Sequence, residues 1–203
     1  TLFSSFYILL VAVAVALILR RLLRPGRLLR SRDILSAMLL FGLAMQIKYT
    51  VVFEGIFVGL YCVFHRFLAS RSLSGILKDV SLLAGAGILP TAIIFTFYAA
   101  LGHRSEWIFA NLESIFLRGH VPIKEIHHLQ KRMLVDILPL IPGLVVTGVL
   151  AHKKASEPQY LYLSLWACTA GLGIVIFGGW YVHYILPLYA PLALTCAPLW
   201  YKK

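Results

Sequence analysis

The chain has 203 residues, of which 60% are hydrophobic and only 13% are charged. Soluble domains carry about 45–50% apolar and about 25% charged residues, so this composition excludes an ordinary soluble domain as well as a disordered chain. Its 19 Lys and Arg residues outnumber its 8 Asp and Glu residues, which gives a net charge of +11. Because the basic residues lie in short clusters between apolar runs, they indicate a polytopic membrane protein rather than one that binds nucleic acid.

Apolar segments divide the chain into seven predicted spans, because a bilayer core of about 30 Å needs roughly 20 helical residues. We therefore predict an all-α fold, a polytopic transmembrane helix bundle that forms a single domain over residues 1–203. The predicted spans are 2–19, 34–47, 51–64, 80–101, 134–151, 160–178 and 184–200.

The first apolar run starts directly after Thr1, without an initiator Met or a basic segment. It is too long for the core of a signal peptide, so we interpret it as a membrane helix and expect the chain to be a fragment of a longer protein. Cys62, Cys168 and Cys196 lie inside apolar runs, which favours packing residues over disulfides or metal ligands.

The second and third spans together form 31 residues that only Lys48, Tyr49 and Thr50 interrupt. A hairpin places thirteen basic residues on one side of the membrane and six on the other, whereas one long helix gives 11 against 7. The positive-inside rule and the cost of a Lys within the bilayer both favour the hairpin. We therefore predict that the basic loops are cytoplasmic and that Lys48 is extracytoplasmic.

The external loop over residues 102–133 repeats an apolar pattern with helical spacing on both sides of Gly119 and Pro122. The pattern comprises Ile108, Leu112, Ile115 and Phe116, then Ile123, Ile126, Leu129 and Met133. It predicts two short amphipathic helices on the outer interface, and the alternative is a partly ordered loop. The loop also holds His120, His127 and His128, which we interpret as solvated or interfacial side chains rather than as a metal site.

Ionisable residues in apolar segments are expensive to bury and therefore mark candidate sites. Lys48, beside Tyr49, could bind a lipid phosphate, or it could be an ordinary interfacial Lys. Glu54 lies roughly 9 Å deeper at about 1.5 Å per residue and directly precedes the small-residue face of Gly55 and Gly59. We expect Glu54 to face the bundle, either as the partner of a buried cation or as an acidic group in a site.

Aromatic residues and His183 are concentrated in the turn 178–184, which we place at the same outer interface as Lys48. Pro187, Pro191 and Pro198 then interrupt the last span, which membrane helices tolerate where neighbours satisfy the backbone. The sequence shows neither a Ser-His-Asp order nor a Gly-rich phosphate loop nor zinc-ligand spacing.

Two stretches resemble a known family. Residues 41–50, FGLAMQIKYT, resemble the G-L-A-x-x-x-K-Y-T hairpin of lipid-dependent membrane glycosyltransferases of the GT-C class. Residues 183–194, HYILPLYAPLAL, resemble the late Y-I-L-P-x-x-A-P-L-A helix of the branch that includes protein O-mannosyltransferases and the enzymes that add aminoarabinose to lipid A. The second match is the more specific because it fixes a Tyr and two prolines within eight residues.

The resemblance implies transfer of a sugar from a polyprenyl-phosphate donor to a glycan, lipid or protein acceptor on the extracytoplasmic face of a bacterial inner membrane. It implies no cofactor besides the lipid-linked donor and leaves the role of a divalent metal open. A leaving phosphate needs cations, so we expect Lys48, Arg118 and His183 to converge with Tyr49 and Tyr184 as substrate-binding residues.

The chain departs from the family in two ways. The family's catalytic carboxylate lies in a first external loop that has no counterpart here, and members have about a dozen spans. We therefore expect the catalytic acid to lie upstream and this polypeptide alone to be inactive, with Glu54 the one acidic candidate in it. The alternatives are half of a transporter or flippase, which broken helices and a buried Glu54 would suit, and a scaffold or polymerase-type protein that handles lipid-linked sugars.

Overall fold

The computed structural model describes residues 2–24, 29–117, 123–154, 156–177 and 182–200, and every element in these ranges is helical. The all-α prediction is therefore confirmed. The α-helices are α1 (Leu2–Leu22), α2 (Ser31–Met45), α3 (Val52–Ser70), α4 (Leu73–Ala100), α5 (Arg104–Ile108), α6 (Ser114–Leu117), α7 (Ile123–Ile137), α8 (Ile141–Lys153), α9 (Pro158–Phe177), α10 (Leu186–Thr195) and α11 (Ala197–Trp200). Three-residue or four-residue 3-10 turns cover Tyr49–Val51, Leu138–Leu140 and Val182–Ile185, and a π-helical turn covers Phe109–Glu113.

Four helical stretches of the described residues are long and apolar enough to cross a membrane, as expected of a membrane protein. They are Tyr49–Leu68, Ser74–Ala100, Glu125–Lys153 and Pro158–Ile176. Helix α2 has only 15 residues, and the apolar stretch Leu186–Leu199 is also shorter than about 20. The total of seven spans therefore stays a prediction.

Helices α2 and α3 form the predicted hairpin. The chain leaves α2 and becomes extended at Lys48, with φ −146° and ψ 109°, before the 3-10 turn that leads into α3. The two helices then run antiparallel, since a Cβ on Gly59 would lie 3.5 Å from Met38 and Arg66 donates a 2.9 Å hydrogen bond to Ser31. Lys48 consequently lies at the tip of the hairpin.

Close contact between α2 and α4 depends on Gly42. A Cβ at this position would overlap the carbonyl oxygen of Gly87 and would lie 2.9 Å from Cδ of Pro90. Directly after the C-terminal end of α2, the Gln46 amide donates a 2.7 Å hydrogen bond to the Thr91 hydroxyl. Most of the remaining surface of α4 is exposed and apolar, as expected of a helix that faces lipid.

Ion pairs join the helix ends opposite to Lys48. Arg21 at the end of α1 donates a 2.7 Å hydrogen bond to Asp33 in the first turn of α2, and both side chains are buried. Arg66 of α3 pairs at 3.1 Å with Asp79 of α4. These contacts bring the ends of four helices together at the end of the bundle opposite to Lys48.

The segment predicted as an external loop, residues 102–133, differs from its prediction in one respect. Helix α7 continues through a 3-10 turn into α8, so the helical stretch Glu125–Lys153 crosses the boundary that we predicted at Leu134. Pro139 does not break it, because Pro is tolerated in the first turn of a helical segment. The first half of the loop is helical from Arg104 to Leu117 and contacts α4 through the rings of Trp107 and Phe95, 5.1 Å apart.

The last helices close the bundle on α8 and α9. The buried Thr147 hydroxyl of α8 donates a 2.7 Å hydrogen bond to the carbonyl oxygen of Thr195 in α10. Tyr184 and Ile185, in the turn before α10, pack with Ile174 of α9 and Met133 of α7. This packing holds the start of α10 beside the C-terminal end of α9, where it meets the tip of the hairpin.

Candidate functional site

The Lys48 ammonium lies between two tyrosine rings from distant parts of the chain. Its Nζ atom is 4.8 Å from the ring centroid of Tyr184 and 5.3 Å from that of Tyr7. Both distances fall within the roughly 6 Å range of cation–π attraction. The half-buried Lys48 side chain is thus held by α1 and by the turn before α10 at a defined place.

A hydroxyl–hydroxyl hydrogen bond connects the same turn to the residue after Lys48. The Tyr49 and Tyr184 hydroxyl oxygens are 3.1 Å apart, and either one can be the donor. The two residues belong to the two stretches that carry the family resemblance, although 135 positions separate them in the chain. Folding therefore brings Lys48, Tyr49 and Tyr184 together in one cluster, which we call the outer cluster.

Glu54 lies deeper than the outer cluster, in the first turn of α3. It is 2% exposed, and one of its carboxylate oxygens accepts a 2.7 Å hydrogen bond from the indole N–H of Trp166 in α9. The carboxylate is close enough to Lys48 and Tyr7 to act on both electrostatically. Glu54 therefore faces the bundle interior, as the small residues that follow it predict.

Burial and charge act in opposite directions on Lys48. Burial lowers the pKa of the ammonium to about 8, and the negative charge of Glu54 opposes that shift. A Lys with a pKa of about 8 is still mostly charged at neutral pH, but it loses its proton within a range that ordinary lysines do not reach. The position is therefore cationic and sensitive to weakly alkaline pH.

Two further hydroxyl groups near the cluster are buried without a hydrogen-bond partner among the described residues. They are the phenol of Tyr7, whose ring contacts Lys48, and the side chain of Thr50 in the turn that follows Lys48. Buried polar groups nearly always have partners, which can be water molecules or polar groups of a ligand. The Tyr7 and Thr50 hydroxyls are therefore candidates for bound water near Lys48.

Sequence reasoning missed Tyr7 and Trp166. Each lies inside an apolar run, and nothing in the spacing connects Tyr7 of α1 or Trp166 of α9 with the hairpin. One signal was present: Trp and Tyr prefer the two membrane interfaces, whereas Trp166 is the ninth residue of a 20-residue helix. A Trp at that depth needs a partner for its N–H, and a buried carboxylate such as Glu54 provides one.

Two predicted site residues are not placed by the structure. The first, Arg118, lies outside the described residues. The same holds for His120 of this loop, which we interpret as solvated or interfacial and not as a site residue. His183 lies within the 3-10 turn Val182–Ile185, but its side chain is also outside the described set. Within the described ranges, no group of three His, Cys, Asp or Glu side chains is arranged to hold a metal ion.

The arrangement combines three chemical capacities. Lys48 supplies a positive charge at the tip of the hairpin, and the hydroxyl pair of Tyr49 and Tyr184 supplies one further O–H donor beside it. Glu54 supplies a buried carboxyl group underneath, held in place by the indole N–H of Trp166. Such a cluster suits a ligand that presents an anionic group at the membrane surface.

Comparison with known protein families, with curated proteins and with solved structures finds no match for this chain.

Proposed function

We propose that this chain is part of a membrane glycosyltransferase that takes a sugar from a polyprenyl-phosphate donor on the extracytoplasmic face. The observation that supports the proposal is the convergence of Lys48, Tyr49 and Tyr184 in the outer cluster. These residues come from the two stretches that resemble the GT-C class. In the proposed enzyme the outer cluster binds the phosphate of the donor.

The chemistry of the reaction explains why a cation is needed at this place. When the sugar leaves the lipid phosphate, the phosphate gains negative charge, and a positive charge fixed beside it lowers the barrier. Lys48 is a compact point charge, and the cation–π contacts restrict where it can move. One of the Tyr49 and Tyr184 hydroxyls donates to the other, and the remaining O–H can donate a hydrogen bond to an oxygen of the phosphate.

Glu54 has a supporting role in this proposal. Its hydrogen bond to Trp166 and its burial fix the carboxylate below Lys48, where it favours the charged ammonium. A general base has to reach the acceptor hydroxyl, and a carboxylate that is 2% exposed lies too deep for that task. We therefore assign Glu54 to the positioning of Lys48 and leave the base unassigned.

Binding of a polyprenyl phosphate tests the proposal directly. The purified chain in nanodiscs is titrated with a fluorescent polyprenyl phosphate, and Lys48→Ala is expected to weaken binding by roughly tenfold or more, since hydrogen bonds to charged groups contribute about 1.5–3 kcal/mol. Lys78→Ala is the matched control because Lys78 is exposed and belongs to α4 on the basic side. Equal binding by wild type and Lys48→Ala would remove Lys48 from the site.

Transfer and transport are then separated in sealed vesicles that contain the whole protein. A labelled polyprenyl-phosphate sugar is added on the extracytoplasmic side together with candidate glycan, lipid or protein acceptors. Lys48-dependent appearance of the label in an acceptor supports the glycosyltransferase. Movement of the intact lipid to the other leaflet without transfer would favour the transporter or flippase and overturn the proposal.

A further inference from the structure

A second cluster of charges lies at the opposite end of the bundle and has no role in the proposed sugar transfer. It contains the buried pair of Arg21 and Asp33 together with two exposed arginines, Arg20 of α1 and Arg32 of α2. Three guanidinium groups thus surround one carboxylate. Since one carboxylate balances one of them, the cluster keeps about two uncompensated positive charges.

The three arginines are not equivalent. Arg21 makes a short contact of 2.7 Å to one carboxylate oxygen of Asp33 and is buried. Arg20 and Arg32 approach the other oxygen at 3.5 and 3.7 Å, beyond the usual hydrogen-bond length, and their side chains are 55% and 73% exposed. Asp33 therefore orients Arg20 and Arg32 without using up their hydrogen-bond donors.

The geometry of this arginine pair suits a phosphate group. Because both nitrogens lie within 4 Å of the same Asp33 oxygen, they are at most about 7 Å apart. A phosphate presents several acceptor oxygens and can bridge two guanidinium groups at this separation. Burial alone would raise the pKa of the Asp33 carboxyl. The hydrogen bond and charge of Arg21, together with the charges of Arg20 and Arg32, outweigh burial and lower this pKa, so Asp33 is an anion within the cluster.

The surroundings of the arginine pair indicate that the phosphate belongs to a lipid. Leu23, in the turn after α1, is 58% exposed and lies directly before the exposed Arg24. An exposed apolar side chain beside an exposed basic one is typical of the level where a helix leaves the hydrocarbon core and reaches the head groups. A phosphate that arrives at this level from within the membrane carries acyl chains, which the apolar surface of α1 can contact.

We propose that Arg20 and Arg32 form a binding site for the phosphodiester head group of an anionic phospholipid on the basic side of the bundle. The site is independent of the outer cluster and of the sugar transfer proposed for it. Its occupant links the end of α1 to the start of α2, so lipid binding stabilises the folded bundle by mass action.

Lipid titration of the delipidated protein in a non-ionic detergent tests the site. Dioleoylphosphatidylglycerol is expected to raise the midpoint of thermal unfolding, whereas dioleoylphosphatidylcholine leaves it unchanged. The double variant Arg20→Gln/Arg32→Gln should weaken the phosphatidylglycerol response by roughly fivefold or more in lipid concentration, since each basic residue near an anionic surface contributes about 1 kcal/mol. Arg32→Gln alone should weaken it partly and provides the test if the double variant does not fold.

The control Lys78→Gln/Lys153→Gln removes two exposed charges from the same side of the bundle. If it weakens the response as much as the arginine variant does, diffuse attraction accounts for the effect and the site is wrong. An equal response to phosphatidylcholine would also overturn the proposal. So would an equal response to inorganic phosphate, because it would show that the lipid chains are not recognised.

Discussion

The indole N–H of Trp166 donates a 2.7 Å hydrogen bond to the carboxylate of Glu54, and 112 positions of the chain separate the two residues. Both side chains are almost fully buried, with exposures of 1% and 2%. The contact joins α3 to α9 at the depth just below Lys48. The hydrogen bond fixes the position of the Glu54 carboxylate, which acts electrostatically on Lys48 of the outer cluster.

Replacing Trp166 with Phe is expected to destabilise the protein by about 2 kcal/mol or more, because the substitution leaves a buried carboxylate without its donor. Unfolding by sodium dodecyl sulfate in mixed micelles measures the effect. Trp107→Phe is the control, since Trp107 is half-buried outside the core and should change stability by less than about 0.5 kcal/mol.

The same experiment distinguishes the lost hydrogen bond from lost packing. Glu54→Gln in the Trp166→Phe background should recover part of the stability, because an amide costs less to leave unpaired than a carboxylate does. No recovery in the double variant would mean that ring volume, and not the Glu54 contact, is what Trp166 contributes.

Gly42 and Gly85 make a matched pair for testing the contact between α2 and α4. A Cβ on Gly42 would overlap the Gly87 carbonyl oxygen, whereas a Cβ on Gly85 would meet nothing within 4 Å. Gly42→Ala should therefore destabilise by about 1–3 kcal/mol through overpacking. Gly85→Ala should instead stabilise by up to about 1 kcal/mol, because Ala is the better helix former.

The decisive measurement is which of the two variants, Gly42→Ala or Gly85→Ala, has the higher stability. If Gly42→Ala unfolds at the same denaturant concentration as Gly85→Ala or at a higher one, α2 and α4 do not approach each other as closely as the structure shows. Both variants leave every charge and hydrogen-bonding side chain in place, so no other interaction accounts for a difference.

Asp33 makes the folded protein sensitive to acid. Arg21 and its neighbours lower the pKa of this carboxyl below its ordinary value of 3.8. A carboxyl with a lowered pKa contributes stability that is present above the ordinary pKa and is lost as the pH falls through the lowered value. Wild type should therefore lose stability below about pH 4, in the range where Asp33 becomes protonated.

The variant Asp33→Asn removes both the contribution and its pH dependence. We expect it to lower stability by about 3 kcal/mol at pH 7, since it leaves Arg21 buried without its anion. Below about pH 4 the difference from wild type should shrink. A constant difference between pH 7 and pH 3 would show that the ion pair is not the source of the effect.

The hairpin can be predicted from the sequence because the hydropathy of a span and the charge of a loop are properties of short, continuous segments. Counting basic residues on each side requires only the loops, and Lys48 at the tip follows from that count. The Gly55 and Gly59 face likewise indicates that Glu54 points into the bundle, since a neighbouring helix must approach that face. These parts of the site could be predicted without knowing which helices pack together.

The partners of Lys48 and Glu54 could not be predicted because they depend on how α1 and α9 pack. Tyr7 and Trp166 look like ordinary apolar-run residues until α1 and α9 are placed beside the hairpin. Tyr49 and Tyr184 were each predicted as site residues, but only folding shows that their hydroxyls meet. The start of α2 at Ser31 also lies ahead of the predicted 34, since the apolar run does not reveal that Asp33 pairs with Arg21 inside the first turn.

Lys48 gives the proposed phosphate binding a pH dependence that an ordinary Lys would not show. Burial lowers its pKa to about 8, against the opposing charge of Glu54, so the ammonium loses its proton as the pH rises through this value. Polyprenyl phosphate is already doubly charged there, because the second pKa of a phosphate monoester is about 6. Its affinity should therefore fall severalfold between pH 7.5 and pH 9.5, with bound phosphate shifting the midpoint upward because it favours the charged ammonium.

Lys48→Arg is the variant that tests this explanation, because a guanidinium stays charged throughout the range. Binding by Lys48→Arg, measured with the same fluorescent polyprenyl phosphate, should be weaker than that of wild type at pH 7.5 but nearly constant up to pH 9.5. Lys48→Ala should bind weakly at every pH. If wild type and Lys48→Arg lose affinity in parallel, a group other than Lys48 titrates, and the cation between Tyr7 and Tyr184 is not what holds the phosphate.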